Sequence, residues 1–188
     1  MPSEMCGNSL TAMKSQGMRF AVLHAHPLDE SLSATLREQV VETLKSAGHE
    51  VNLVRLTQGD WIDTDELESC EGLIFVYPTW WGGLPAPMLH WVQVVLAPWI
   101  DHGAPKQTSP LRNVKALVAV TTHGSTRWVN RLQGEPGLQL LKRTIRKLCA
   151  PRTKLRWIAH YNIDRSTENE IAAFIHTVGT KLKYLVVE

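Results

Sequence analysis

Phe75-Val76-Tyr77-Pro78-Thr79-Trp80-Trp81-Gly82-Gly83-Leu84-Pro85-Ala86 passes through three kinds of chain in quick succession. The apolar run from Gly72 to Tyr77 has the composition of a strand buried on both faces. It stops at Pro78. Two adjacent tryptophans and two glycines follow, and Pro85 stands where a helix accepts proline in its first turn. Gly82 and Gly83 let backbone approach a ligand closely, because no side chain intervenes. Trp80 and Trp81 offer flat aromatic surface and two N–H donors. A wide, planar, polar-edged ligand suits such a loop. The other reading is a surface turn whose tryptophans pack on a neighbouring helix or subunit.

The same alternation extends outward in both directions. Arg19–Ala25 is a short apolar strand. Ser31–Ala47 carries Leu32, Leu36, Val40 and Leu44 on one helical face, and Gly48 follows where a helix terminates. Glu50–Leu56 reads as a second strand. Residues 57–69 are polar, with room for a short helix near Asp65. After Pro85, Met88, Leu89, Val92, Val95, Leu96 and Trp99 give an apolar helical face. Asp101–Asn113 reads as loop, Val114–Thr121 as the fourth strand, and Thr122–Pro136 as a polar connection. Gly137–Cys149 is helical, Lys154–His160 is the fifth strand, and Thr167 to the end is the last helix.

Five strands interleaved with helices predict an α/β three-layer sandwich. Right-handed crossovers leave few arrangements, and a five-stranded parallel sheet of order 2-1-3-4-5, helices on both faces, leads them. Residues 1–17, rich in Ser, Gly, Thr and Met, read as a disordered extension. Residues 18–188 then form a single domain. In this topology a ligand lies at the carboxyl ends of the strands.

Composition narrows the function. The 188 residues carry a net charge of +2 and 20% charged side chains, which gives no argument for nucleic acid or a membrane surface. No apolar run approaches a membrane span, and no signal-peptide core stands at the start. Cys6, Cys70 and Cys149 are scattered and form no Cys-x-x-Cys, so a reducing, cytoplasmic setting is expected and zinc ribbons are not. His24-x-His26 lacks the acid that a metallo-β-lactamase-like site places two residues on, so no metal is expected. No Gly-x-x-x-x-Gly-Lys, Gly-x-Gly-x-x-Gly or Gly-x-Ser-x-Gly occurs, which argues against nucleoside triphosphatase, direct dinucleotide-fold and serine-hydrolase chemistry. The basic side chains between Lys142 and Arg156 read first as a solvated face, with attraction for the extra phosphate of NADPH as the alternative.

Two further segments are unusual, and the topology brings both to the same edge as Trp80. His26-Pro27-Leu28-Asp29-Glu30-Ser31-Leu32-Ser33 ends the first strand and opens a helix. Helix-start N–H groups bind phosphate, and His26, Ser31 and Ser33 add donors. Simple capping by Ser31 or Asp29 is the competing reading. Thr121-Thr122-His123-Gly124-Ser125-Thr126-Arg127-Trp128 follows the fourth strand, and its hydroxyls, backbone and imidazole suit the polar edge of a flat ring. A polar loop that merely covers the sheet end is the competing reading.

Together these residues resemble the flavodoxin-like NAD(P)H:quinone oxidoreductase family, which includes quinone reductases, modulator-of-drug-activity flavoproteins and ancillary subunits of potassium efflux systems. The resemblance is carried by residues 19 to about 130. The first loop is similar to the family's His-x-x-x-x-Ser-x-Asn/Ser phosphate site, which implies that His26, Ser31, Leu32 and Ser33 hold a flavin phosphate. The loop after the third strand is similar to Pro-x-x-Trp-x-x-x-Pro-Ala, which implies that Pro78, Thr79, Trp80, Trp81 and Gly82 line the isoalloxazine. Thr121, Thr122 and Gly124 match the family's Thr-Thr-Gly-Gly, with His123 in the place of the first glycine. Trp128 stands near a position where the family carries an aromatic residue, so His123 and Trp128 are the candidate catalytic side chains.

The resemblance implies a flavoprotein, with FMN favoured over FAD because nothing marks an adenine pocket. It implies ping-pong, two-electron transfer from NAD(P)H to a quinone or similar acceptor. It also implies a homodimer, for which the Trp91–Trp99 segment offers an apolar face, with core packing as the equal alternative for most of that segment. Two alternatives stay open: a flavin-binding regulatory subunit of a transporter, and a flavodoxin-type electron carrier. The acidic character and Thr-rich phosphate loop of classical flavodoxins are both missing here.

Overall fold

The computed structural model describes residues 17–101 and 103–187, with side chains described to Tyr184. The extension read over residues 1–17, with Cys6, lies outside the described residues except for Gly17. The sheet has five parallel strands in the order β2-β1-β3-β4-β5: β1 (Arg19–His24), β2 (Glu50–Arg55), β3 (Gly72–Thr79), β4 (Ala116–His123) and β5 (Lys154–Tyr161). This is the expected topology. The helices are α1 (Leu32–Ser46), α2 (Thr64–Glu68), α3 (Ala86–Ile100), α4 (Arg127–Leu132), α5 (Pro136–Leu140), α6 (Arg146–Leu148) and α7 (Glu168–Val187), with a π-helical turn at Leu141–Ile145 joining α5 to α6.

Alternation along the strands divides the core into two layers. Phe20, Val22, Ile74, Val76, Val118 and Val120 face α1 and α7 through Leu36, Val40, Leu44, Phe174, Val178 and Leu182. Ala21, Leu23, Phe75, Tyr77, Leu117 and Ala119 face α3 and the α5–α6 segment through Met88, Trp91, Val95, Leu96, Leu141 and Ile145. Every residue of β4 is buried, as befits a strand flanked by neighbours and covered on both faces.

Three departures from the sequence expectation reach the carboxyl edge of the central strands. Strand β3 continues through Pro78 to Thr79, and β4 runs on to His123, because the register pairs Thr79 with His123 and His123 with Tyr161. The apolar run ends earlier than the hydrogen-bonded ladder. The polar connection contains α4, capped where the Thr126 hydroxyl accepts from the Val129 N–H at 3.5 Å. The Trp91–Trp99 face is largely core rather than free surface. Trp91 is fully buried, meets Phe75 edge-on and donates its indole N–H to the Ile62 carbonyl at 3.2 Å.

Candidate functional site

The loops after β1, β3 and β4 converge at the carboxyl edge of the sheet, as the topology requires, and a turn after β5 joins them. Two cavities open there, end to end. The first, about 340 Å³, is lined by His26, Ser31, Leu32 and Ser33 from the first loop and Pro78, Thr79 and Trp80 from the third strand and its loop. Thr122, Gly124, Ile163 and Asp164 close it. The second, about 490 Å³, is lined by Thr79, Trp81, Gly82, His123, Gly124 and Ser125, with Asn130, Gln133 and Pro136 beyond. Thr79 and Gly124 belong to both.

The first cavity is built around a helix start. Ser31 is the N-cap of α1, its hydroxyl accepting from the Ala34 N–H at 3.2 Å, so capping and the proposed phosphate loop are one structure. The Leu32 and Ser33 N–H groups lie in the first turn, where a helix supplies no internal carbonyl partner. His26 Nδ1 lies 3.1 Å from the Leu28 amide nitrogen and 3.0 Å from the Leu28 carbonyl oxygen, and the tautomer with its proton on Nε2, which accepts from the Leu28 N–H, is the one able to donate to a ligand. Its ring lies tilted beside Trp80, centroids 5.7 Å apart. Beneath this loop, His24 Nε2 and Ser33 Oγ are 3.2 Å apart and buried. Burial, reinforced by the positive charge of Arg37, holds the His24 imidazole down to about 4, so it is neutral at neutral pH.

Gly124 stands where the two cavities meet. A Cβ there would lie 2.7 Å from a carboxylate oxygen of Asp164. The loop after β3 turns at Trp81 and Gly82, with φ of 52° and 79°. Two positive φ values at the centre of a two-residue hairpin are the mark of a type I′ turn, closed here by reciprocal bonds between Trp80 and Gly83 at 3.3 and 2.9 Å. Glycine suits the second position; tryptophan at the first is strained. The Trp81 indole is fully exposed at the rim.

His123 forms the inner wall of the second cavity. It is 3% exposed and stacks on Tyr161, centroids 4.6 Å apart and rings 13° from parallel. Its Nε2 faces the Thr79 hydroxyl at 3.5 Å, and that hydroxyl meets Thr121 Oγ1 at 2.9 Å. Its Nδ1 is buried with no hydrogen-bond partner among the described residues. Burial lowers the imidazole pKa, partly offset by the nearby Asn130 amide and Glu135 carboxylate. Tyr161 donates to the Glu135 carboxylate at 2.6 Å, and burial followed by this contact raises its phenol.

A family model described as the flavodoxin-like fold matches residues 18–175. The chain belongs to the flavodoxin-like fold family. Several solved structures share this flavodoxin-like architecture at low sequence identity. Smu.1420 from Streptococcus mutans UA159 superposes with a TM-score of 0.72 at 20% identity, over 87% of this chain and 97% of that one. The NAD(P)H:quinone oxidoreductase from Methanothermobacter marburgensis gives 0.68 at 16%, over 87% and 94%. An FMN-dependent NADH-azoreductase from Bacillus anthracis, in complex with FMN, gives 0.67 at 11%, over 90% and 99%. Among curated protein sequences no match is found.

In this flavodoxin-like frame most of the residues singled out from sequence come together. Two do not line either cavity. Thr121 is fully buried and acts from behind, through its bond to Thr79. Trp128 is 72% exposed on the first turn of α4 and lines neither cavity. Asn130, two residues on, points inward, and a helix turns about 200° over two residues, so Trp128 faces away. His123 is the last residue of a buried strand rather than a loop residue. Asn130, Gln133, Asp164 and the supporting pair His24 and Tyr161 were not singled out as site residues. A six-residue helix leaves too little periodicity to place Asn130 and Gln133, and Asp164 follows the fifth strand, whose loop carries no glycine or aromatic signal. Among the described residues no cluster of His, Cys, Asp or Glu is arranged to hold a metal, and no helix is long and apolar enough to cross a membrane.

Proposed function

We infer that the chain is a flavin-dependent NAD(P)H oxidoreductase acting on a quinone or a related two-electron acceptor. One observation carries this reading: an anion-suited cavity at a helix start joins, at Gly124, a broader cavity whose wall holds the unpartnered Nδ1 of buried His123. A buried polar atom without a partner is costly, and a ligand that bonds it removes the cost. The residues therefore suit a flavin, with phosphate in the first cavity and ring system in the second. FMN is favoured, since the cradle at α1, where a helix start meets the Ser33 hydroxyl and the His26 ring, suits a single phosphate and nothing in the sequence marks an adenine pocket.

Each residue then has a task. The Leu32 and Ser33 N–H groups, the Ser33 hydroxyl and His26 Nε2 hold the phosphate, aided by the α1 dipole. Ser31 fixes the loop as cap, and His24 orients Ser33. Pro78, Thr79, Trp80 and Thr122 shape the passage between the cavities. Trp81, Gly82 and Gly124 admit the ring, and His123 Nδ1 bonds its polar edge. Tyr161 holds the His123 plane, and Glu135 holds Tyr161. Bound there, the flavin would accept hydride from NAD(P)H and pass two electrons to the acceptor in ping-pong fashion. A partly apolar groove of about 570 Å³ beside the site, lined by Trp80, Trp81, Leu84, Pro87 and Leu89 among others, is the surface proposed for a homodimer in place of Trp91–Trp99.

Steady-state oxidation of NADH and NADPH by the FMN-loaded protein, with menadione as acceptor, tests the activity. Turnover that requires both flavin and menadione is expected. Bound flavin without turnover would contradict the enzymatic reading.

A further inference from the structure

The opposite edge of the sheet holds a cleft with no part in the chemistry above. From Pro136 to Ile163 the chain contains seven Lys or Arg residues and no Asp or Glu. Three of these cations, Arg146, Lys147 and Arg152, line a cavity of about 590 Å³ together with Lys106 and Arg112. The cavity lies where the chain enters β4 and β5, at their amino ends.

The charge there is unbalanced. Arg112 is paired with Glu68 at 2.6 Å. Lys106, Arg146, Lys147 and Arg152 enter no ion pair among the described residues. Two guanidinium groups are already held in place. Arg146 Nε donates to the Thr153 carbonyl at 3.1 Å, and Arg112 Nη1 donates to the Ser109 carbonyl at 3.1 Å. Thr153 is itself buried and anchored, its hydroxyl donating to the Val114 carbonyl at 2.9 Å. Arg152 sits at φ 66°, in the left-handed region that non-glycine residues enter at a cost. The remaining lining is neutral. Cys149 donates its thiol to the Ile145 carbonyl, and burial pushes that thiol up to about 12, so it adds no negative charge.

We propose that this cleft binds a small organic polyphosphate, at a site separate from the flavin edge. Like charges gathered in a concave surface concentrate a positive potential. The Arg146 guanidinium, fixed through Nε, presents its two Nη groups as paired donors that match phosphate oxygens. The volume lies in the range of small-molecule sites, and Ala150 and Pro151 offer apolar contact for the organic part. A nucleic-acid strand is a poorer match. The exposed tryptophans Trp61, Trp80, Trp81 and Trp128 stand in the segments after β2, β3 and β4, at the other edge, and Trp99, which reaches the cleft's border through its bond to Thr108, is half-buried, so no row of exposed rings lies beside the cations.

Isothermal titration of the purified full-length protein with ATP, at about 150 mM salt, tests this. One-to-one binding is expected, tighter than to inorganic tripolyphosphate. Arg146→Ala and Lys147→Glu should each weaken it about tenfold, the equivalent of one charge-assisted contact. Both side chains are exposed, and unchanged circular dichroism would show that each variant folds. Ser33→Ala, at the other edge, should leave ATP affinity unchanged. Absence of heat, unchanged affinity in Lys147→Glu, or competition between ATP and FMN would overturn the proposal. Equal affinity for tripolyphosphate would overturn the organic assignment. Retention on phosphatidylserine vesicles without ATP binding would replace it with a membrane-surface role.

Discussion

Tyr77→Phe is expected to stabilise the protein. Tyr77 is 2% exposed on β3, and its hydroxyl has no hydrogen-bond partner among the described residues. The neighbouring Thr121 hydroxyl is engaged with Thr79 at 2.9 Å. Burial drives the Tyr77 phenol far above its ordinary range, and the adjacent Thr121 hydroxyl offsets only part of that rise. A buried, unpaired polar group costs about 1–3 kcal/mol, and phenylalanine removes it. The substitution leaves a void of about 10–15 Å³, roughly one water-sized probe, which at about 24 cal/mol per Å³ costs only about 0.3 kcal/mol. The net gain is about 1–2 kcal/mol. In a domain of this size that raises Tm by about 2–8 °C. Thermal and urea denaturation followed by circular dichroism measure it. Tyr77 lines neither cavity of the site, so flavin affinity should not change. A loss of 1 kcal/mol or more would show instead that the hydroxyl is bonded in the folded state, with Thr121 as its partner.

His24 gives a pH dependence of definite sign. Its folded pKa of about 4 lies below the unfolded value of 6.5, so its neutral form is favoured and stability is lost as pH falls from 6.5 towards 4. The loss is about 3 kcal/mol at the lower end, and His24→Gln should flatten this part of a stability-against-pH curve; an unchanged slope would show that other groups cause it. Trp81→Asn keeps the type I′ turn, relieves about 1 kcal/mol of strain and sacrifices no burial, so it should raise Tm in dilute protein while weakening FMN binding several-fold. Unaltered FMN affinity would remove Trp81 from the site. His123→Ala should slow acceptor reduction and weaken flavin binding without abolishing it, and stopped-flow half-reactions indistinguishable from the parent would exclude that role.

The strand order was legible because the buried strands are continuous apolar runs, and Gly72–Tyr77 is the plainest of them. The helix start after the first strand was legible because serine is a favoured cap, and Ser31 stands at the N-cap of α1. The strand ends were not. Thr122 and His123 look like loop in composition, yet the ladder from Thr79 through His123 to Tyr161 holds them as strand. That difference turns His123 from a mobile loop side chain into a fixed, buried one. Trp128 was misplaced for the complementary reason: an aromatic residue in a polar segment attracts notice, whereas the direction of a short helix depends on where its Thr126 cap falls. Asp164 and Tyr161 reach the site only through the fifth strand, and no local pattern in the sequence marks that arrival.

The central claim is that this edge of the sheet binds a flavin. The visible absorption spectrum of the purified protein, followed by mass analysis of released cofactor, tests it most directly. A yellow protein with flavin absorption bands that releases FMN at about one equivalent per chain, or an apoprotein that takes it up, is the expected result. A colourless protein that binds neither FMN nor FAD on titration would contradict it.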